Sequence, residues 1–207
     1  MIDRRRNCKP VQPVVALAIL ESLRVTDTPS ETIDDEEFTQ SLPRRLGLSE
    51  VIDTQIRRYT SMRDSGYTLE VGELNDLLRL IGRRPDAEAV FAAAGTRLAR
   101  QHFDDQFALT RVGRRLFPAQ VRERFMLRSA GRIARAVSPS SAVSTSRSPP
   151  ELAVEDCVLS EVANGLACSM LTAAMQECLE RYEKDGGLVQ HESCKGRGSE
   201  ACTWSVK

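Results

Sequence analysis

The feature that most constrains this sequence is a group of potential metal ligands near its carboxyl end. Cys194 and Cys202 flank a glycine-containing turn, and each adjoins a segment with the pattern of a β-strand. In a hairpin of this kind, two thiols can face each other at ligand distance. Together with Cys168 on the preceding predicted helix and one donor from the 191–192 pair, they predict a closed structural zinc site with four protein ligands.

Two neighbouring residues compete for the fourth ligand position. On a regular strand, Glu192 and Cys194 point to the same face, whereas His191 and Cys194 point to opposite faces. A bulge or bend near Ser193 would reverse that choice. Histidine is the better zinc ligand beside thiolates, so chemistry favours His191 and regular geometry favours Glu192.

The remaining cysteines are predicted to be free thiols. Cys168 and Cys178 fall on one predicted helix with about 15 Å between them along its axis, so they cannot bind the same ion. Only one of the two can belong to the site, and we expect the other to be a small buried hydrophobic residue. Cys157 and Cys8 are likewise expected to be unligated.

Composition limits the class of protein and its partners. A chain of 207 residues with 41% hydrophobic and 28% charged residues is typical of a soluble globular protein. Its formal net charge of zero argues against bulk nucleic acid as a partner. We recognise no secretory signal and no apolar run of the ~20 residues that a membrane span needs. A reducing cytoplasm is therefore expected, where clustered cysteines favour a metal over disulfides.

The pattern up to residue 135 is helical and predicts the helical half of an α+β fold. A surface helix is expected from Pro13 to about Val25, and a second helix from Ser49 to near Gly66. A third helix is expected to end at Gly82, a fourth to run from Pro85 through His102, and a fifth to begin at Pro118. We divide the chain into residues 1–47, an amino-terminal helix with an acidic linker, and a domain over 48–207. The small residues 92–95 are expected to allow close helix packing, and His102 is interpreted as a surface group.

Residues 111–135 are strongly basic, with eight arginines offset by one glutamate. The favoured interpretation is an amphipathic helix whose arginines pair with the acidic amino-terminal region. The alternatives are contact with an anion or a nucleic acid, or with an anionic membrane surface.

The carboxyl-terminal part has a different residue pattern, which predicts strands as well as a helix. A flexible Ser/Pro loop is predicted over 138–150, a strand over 152–159 and a helix over 160–184. Strands over 188–193 and 201–206 then form the hairpin. This strand, helix and hairpin predict a small antiparallel sheet clamped by zinc.

Residues 164–206 resemble the carboxyl-terminal part of the 4-vinyl-reductase-like domain family. The similarity lies in a Gly-containing helix start, Asn164-Gly165-Leu166-Ala167-Cys168, and in the pattern Cys194, Gly198 and Cys202-Thr203-Trp204. Relatives of this family bind zinc through three cysteines and a carboxylate, which implies Cys168, Cys194 and Cys202 as ligands here. The family's glutamate position holds His191, with Glu192 next to it.

The resemblance implies an α+β fold, shared with haem nitric-oxide sensors and transport-particle subunits, and three functional hypotheses. The first is a non-catalytic sensor that binds a small apolar or aromatic ligand near Phe91, Leu98 and the Met170–Met175 side of the last helix. The second is an adaptor that pairs with itself or with a partner protein. The third is an enzyme that acts on a tetrapyrrole vinyl group, for which the sequence offers no dinucleotide-binding motif.

Overall fold

The fold is α+β, as predicted, with a helical amino-terminal half and a small carboxyl-terminal antiparallel sheet. The computed structural model describes residues 9–27, 49–104, 117–182 and 187–207. Within these ranges the helices are α1 Pro13–Asp27, α2 Ser49–Asp64, α3 Val71–Ile81, α4 Ala87–Asp104, α5 Ala119–Val137 and α6 Ser169–Tyr182. The strands are β1 Val143–Arg147, β2 Pro150–Val154, β3 Val189–Ser193 and β4 Cys202–Val206.

The sheet has the strand order β1-β2-β4-β3, and every neighbouring pair is antiparallel. The last strand, β4, therefore lies in the middle, paired with β2 on one side and with β3 on the other. Side chains alternate between the faces of a strand, so Cys202 and Trp204 share a face, and both are fully buried. Helix α5 packs against β1 and β2, while α6 packs against β3. The sheet thus holds Cys202, a predicted ligand, and its neighbour Trp204 against the helices.

Helix α1 is a core element and not the surface helix that its sequence predicts. Every residue from Val15 to Leu20 is buried, and the helix packs against α4 and α2. A helix that is apolar nearly all round is buried on all sides, and the run VVALAIL has that character. The preceding segment is also fixed, because Val11 forms an antiparallel bridge with Leu69.

Helices α4 and α6 approach each other closely at Gly95. A Cβ atom built on Gly95 would lie 1.9 Å from the carbonyl oxygen of Met170, which no side chain can tolerate. The Ser169 hydroxyl donates a hydrogen bond to the Glu88 carbonyl nearer the start of both helices. The small-residue segment 92–95 therefore permits tight helix packing, as expected from the sequence.

Substitution of Gly95 by alanine is expected to destabilise the fold by about 2 kcal/mol or more, because the new methyl group would overlap the backbone of α6. Gly72 in α3 provides the matched control, since a Cβ atom there meets nothing within 4 Å. Its replacement by alanine should be neutral or stabilising by up to about 1 kcal/mol. Urea unfolding of both variants measures the difference, and equal stabilities would contradict the packing described.

Three predicted elements differ from the structure. The segment 138–150, expected to be a flexible loop, contains strand β1, whose polar residues sit exposed at a sheet edge and so show no apolar alternation. The predicted strand over 152–159 ends at Val154. The predicted helix over 160–184 begins only at Ser169, after two short 3₁₀ helices, Val158–Glu161 and Ala163–Cys168.

Several sequence predictions fall on residues outside the described ranges. These are Cys8, the acidic run 34–37 and the first part of the basic segment, residues 111–116. Pairing between the arginines and the acidic region therefore stays a prediction. Among the described helices, none combines the length and apolar character required to cross a membrane.

Candidate metal centre

Four side chains that could hold a metal ion converge where α6, β3 and β4 meet. They are Cys168, His191, Cys194 and Cys202, and their potential ligand atoms all lie within 4.8 Å of one another. The Sγ atom of Cys202 is 4.0 Å from that of Cys168 and 4.0 Å from that of Cys194. All three thiols are buried. The structure thus brings together the four residues that the sequence predicts as ligands.

A β-bulge determines which residue of the 191–192 pair faces the cysteines. His191 pairs with Trp204 and Ser193 pairs with Thr203, so the register shifts between residues 191 and 193. Because an extra residue is inserted there, the alternation of faces is interrupted and His191 turns towards the thiols. Glu192 lies on the other side and is exposed. Its carboxylate accepts a hydrogen bond from Ser205 Oγ at 2.7 Å and forms an ion pair with Lys207 at 2.9 Å.

The imidazole of His191 is held in a fixed orientation. Its ring stacks on the indole of Trp204 with centroids 4.8 Å apart. The Nδ1 atom lies 3.2 Å from Nη2 of Arg197, whereas Nε2 is buried and has no hydrogen-bond partner among the described residues. Buried polar atoms are nearly always bonded, so an orphaned nitrogen beside three thiols is the kind of donor that a metal ion would satisfy.

Trp204 connects this site to helix α6. The indole is fully buried, and its Nε1–H donates a hydrogen bond to Thr172 Oγ1 at 2.9 Å. A buried tryptophan normally finds such a partner. Because Thr172 lies one turn beyond Cys168, this bond fixes the position of β4 relative to the start of α6. The sequence showed an aromatic residue after Cys202 but gave no sign of this supporting role.

A short segment with left-handed backbone conformation precedes Cys168 and positions it in the cluster. Ala163, Asn164 and Gly165 all have positive φ, with values of 45°, 57° and 86°. This region favours glycine and tolerates asparagine. A Cβ atom on Gly165 would lie only 2.2 Å from Sγ of Cys194 and 3.8 Å from Sγ of Cys168. The glycine is therefore needed both for the backbone conformation and for space beside the thiols.

A fourth thiol, that of Cys157, lies beside the cluster, although the sequence placed it on a strand as an unrelated cysteine. It follows β2 and starts the first 3₁₀ helix, where its carbonyl accepts hydrogen bonds from the amide and hydroxyl of Ser160. Its side chain is buried and lies close enough to those of Cys168 and Cys202 to influence their pKa values. Its spacing from Cys168 matches no ligand motif, so only the tertiary fold reveals this contact. Cys178, in contrast, is a buried residue of α6 outside the cluster, as expected.

Contacts among the thiols shift the pKa values of the cysteines in opposite directions. Hydrogen bonds with Cys157 and Cys168 lower the pKa of Cys202, and its sulfur also accepts the Lys195 amide at 3.4 Å. Hydrogen bonds with Cys157 and Cys202, together with burial, raise the pKa of Cys168. For Cys157, the hydrogen bond with Cys168 lowers the pKa, but the bond with Cys202 and burial together raise it to about 12. These contacts therefore favour the thiolate form at Cys202 and the thiol form at Cys157 and Cys168.

The distances suit a tetrahedral thiolate site. For metal–sulfur bonds of about 2.3 Å in a tetrahedral arrangement, the sulfur atoms would be about 3.8 Å apart. The two separations of 4.0 Å need only a small contraction. Three sulfurs and one imidazole nitrogen form a soft donor set, which suits zinc among the common biological cations and does not suit magnesium or calcium.

A groove of about 560 Å³ adjoins the cluster between α4, α6 and β3. Its walls include Ala92, Ala173 and Val189, and Arg197 and Gln176 also line it. Gln176 fixes the strand to the helix, since it accepts the Val189 amide at 2.9 Å and donates to the Gly187 carbonyl at 3.1 Å. Gly165 and His191 belong to both the groove and the metal centre.

The pocket residues expected from the sequence lie elsewhere. Phe91, Met170 and Met175 are at most 1% exposed and belong to the packed core. Leu98 is also buried and borders a separate cleft between α1, α4 and α5. The larger side chains of α4 and α6 are thus used in the core, whereas Ala92 and Ala173 line the groove. His102 makes an edge-on contact with Phe103 and is not part of the cysteine cluster.

No protein-family model, curated protein or solved structure was found to match this chain. The resemblance to the 4-vinyl-reductase-like domain therefore stays a prediction from the motif in residues 164–206.

Substitution of Gly165 by alanine should disrupt the metal centre, because the new methyl group would overlap Cys194 Sγ. Gly198 is the matched control: its φ is 95°, and a Cβ atom there meets nothing within 4 Å. Replacing Gly198 by alanine should cost about 1 kcal/mol for the backbone conformation alone. Metal content per chain and thermal melting measure both effects. We expect reduced metal content only for the Gly165 variant, and equal behaviour of the two variants would contradict the contact.

Proposed function

We propose that this protein is a non-catalytic small-molecule-binding domain in which a structural zinc ion shapes the ligand groove. The observation that carries the proposal is the sharing of Gly165 and His191 between the four-donor cluster and the groove. A site with four protein donors leaves no coordination position for a substrate. The donor set therefore favours a structural role for the metal and assigns ligand recognition to the adjoining groove.

When bound, zinc would supply a cross-link between three separate parts of the chain. Cys168 holds the start of α6, His191 and Cys194 hold the end of β3 and the turn that follows, and Cys202 holds the start of β4. These parts form one end of the groove. Metal binding would therefore lower the conformational freedom of the groove wall and favour its ligand-binding shape.

The groove lining favours a small, largely apolar or aromatic ligand. Ala92, Ala173 and Val189 offer apolar surface without bulky side chains. Most of the exposed lining is apolar, although Glu88, Asn164, Ser169 and Arg197 also line the groove. Thr172 is already engaged by Trp204, and Gln176 is engaged by the β3 backbone. A mainly apolar cleft with some oriented polar groups is typical of small-molecule sites. Ligand contact with the ring of His191 would couple occupancy to the metal centre, as a sensor requires.

The purified protein should contain one zinc ion per chain, and single serine substitutions of Cys168, Cys194 or Cys202 should release it. Removal of the metal should lower the melting temperature by on the order of 10 °C, since binding to the folded state stabilises it. Native mass spectrometry reports the stoichiometry, and thermal melting with and without a chelator reports the stabilisation.

Two control variants make the zinc experiment specific. Cys178→Ser changes a buried cysteine of the same helix outside the cluster and should retain zinc. Glu192→Ala should also retain it, whereas His191→Ala should weaken zinc binding, because the bulge directs the imidazole and not the carboxylate to the thiols. Zinc loss from the Glu192 variant but not from the His191 variant would reverse the ligand assignment.

The groove can be tested separately from the metal with the fluorescent probe 1-anilinonaphthalene-8-sulfonate, a small aromatic anion. Ala173→Trp should fill the groove and reduce probe binding at least about tenfold while zinc content stays unchanged. Ala119→Trp places the same side chain at the exposed start of α5, outside the groove, and should bind the probe as the unmodified protein does. Unchanged probe binding by the Ala173 variant would argue against the groove as the ligand site.

A further inference from the structure

Helix α5 presents an exposed face rich in arginine. Arg124, Arg128 and Arg132 follow one another at intervals of four residues, and Arg135 lies on the same side. All four are exposed. The opposite side is buried against the sheet and α6 through Met126, Leu127, Ala130, Ile133, Ala134 and Val137. The arginines thus form a row about 16 Å long that points away from the core.

This arginine row has no anionic partner within the described part of the chain. Arg124, Arg128 and Arg132 make no hydrogen bond or ion pair there, and Arg135 donates only to the carbonyl oxygens of Gly131 and Val143. Arginines on other helices are neutralised, as in the pairs Arg58–Glu73, Arg84–Asp27, Arg97–Glu21 and Arg100–Glu177. The positive charge on α5 is therefore available to an external anionic surface.

Exposed aromatic residues lie at the start of the same face. Phe117 is 42% exposed and Phe125 is 37% exposed, and their rings stack with centroids 5.8 Å apart. Phe125 also stacks on Tyr182 at 6.3 Å, so its ring already contacts two other aromatic rings. A base of single-stranded nucleic acid needs a free ring face on which to stack. Partly exposed aromatic rings beside arginines instead suit the boundary between lipid headgroups and acyl chains.

We propose that the exposed face of α5, formed by Arg124, Arg128, Arg132 and Arg135 with Phe117 and Phe125, docks the protein on an anionic phospholipid surface. The arginines contact headgroup phosphates, and the two phenylalanine rings enter the interfacial region. Such binding is peripheral and reversible, because both the charge and the apolar area are small. It does not depend on the metal centre or the groove, which lie at the meeting point of α6, β3 and β4.

The test is co-sedimentation of the full chain with vesicles of phosphatidylcholine alone or of phosphatidylcholine mixed with phosphatidylserine. We expect binding only to the mixed vesicles, and weaker binding as salt is added. Each arginine near an anionic surface contributes about fivefold in affinity, so the triple variant R124Q/R128Q/R132Q should bind roughly a hundredfold more weakly. The matched variant R57Q/R79Q/R83Q removes the same charge from exposed positions away from α5 and should bind normally.

The aromatic contribution is tested with Phe125→Ser, which should weaken vesicle binding while thermal melting verifies that the variant is folded. Equal loss of binding in the two triple variants would overturn the proposal, since net charge and not this face would then be responsible. Absence of binding to the mixed vesicles would also overturn it, and that result is expected if the acidic run 34–37 covers the arginines. Binding of a single-stranded oligonucleotide without vesicle binding would assign the face to nucleic acid instead.

Discussion

The close contact between α4 and α6 at Gly95 is the constraint on which the rest of the structure depends. The carbonyl of Met170 occupies the space where a side chain on α4 would be, so the two helix axes can have only one separation at this point. Cys168 immediately precedes α6, and Thr172 accepts the Trp204 indole within the next turn. The helix contact therefore sets where the sheet can dock, and through the sheet it sets the positions of all four potential ligands.

The elements with strong local signals could be predicted from the sequence. Proline at the start of α1, glycine after α3 and an amphipathic stripe in α5 mark helices regardless of context. Strand β1 has no such signal, because four of its five residues are polar and exposed at the edge of the sheet. The burial of α1 also depends on neighbours that are distant in the sequence. Periodicity identified the helix but could not show how many of its sides would be covered.

The candidate ligands of the metal centre could be predicted from the sequence, but the backbone geometry that positions them could not. The ligand set followed from the cysteines around the predicted hairpin, from donor chemistry and from the family resemblance that selects Cys168. The choice between His191 and Glu192 depended on a bulge in β3 that no residue pattern indicates. The approach of Cys157 has the same origin, since the 3₁₀ turns after β2 bring it back to Cys168 and Cys202. In both cases an irregular stretch of backbone determines where the side chain lies. Such irregular stretches are difficult to predict from a single sequence.

The position of Trp204 has a consequence for how the molecule can be observed. It is the single tryptophan of the chain, its indole N–H is bonded to Thr172, and its ring stacks on His191. Thr172 and His191 both line the groove, and His191 is also a potential metal ligand. The intrinsic ultraviolet emission of this protein therefore comes from one indole at the junction of metal centre and groove. It is an optical reporter, present without any label, for events at either place.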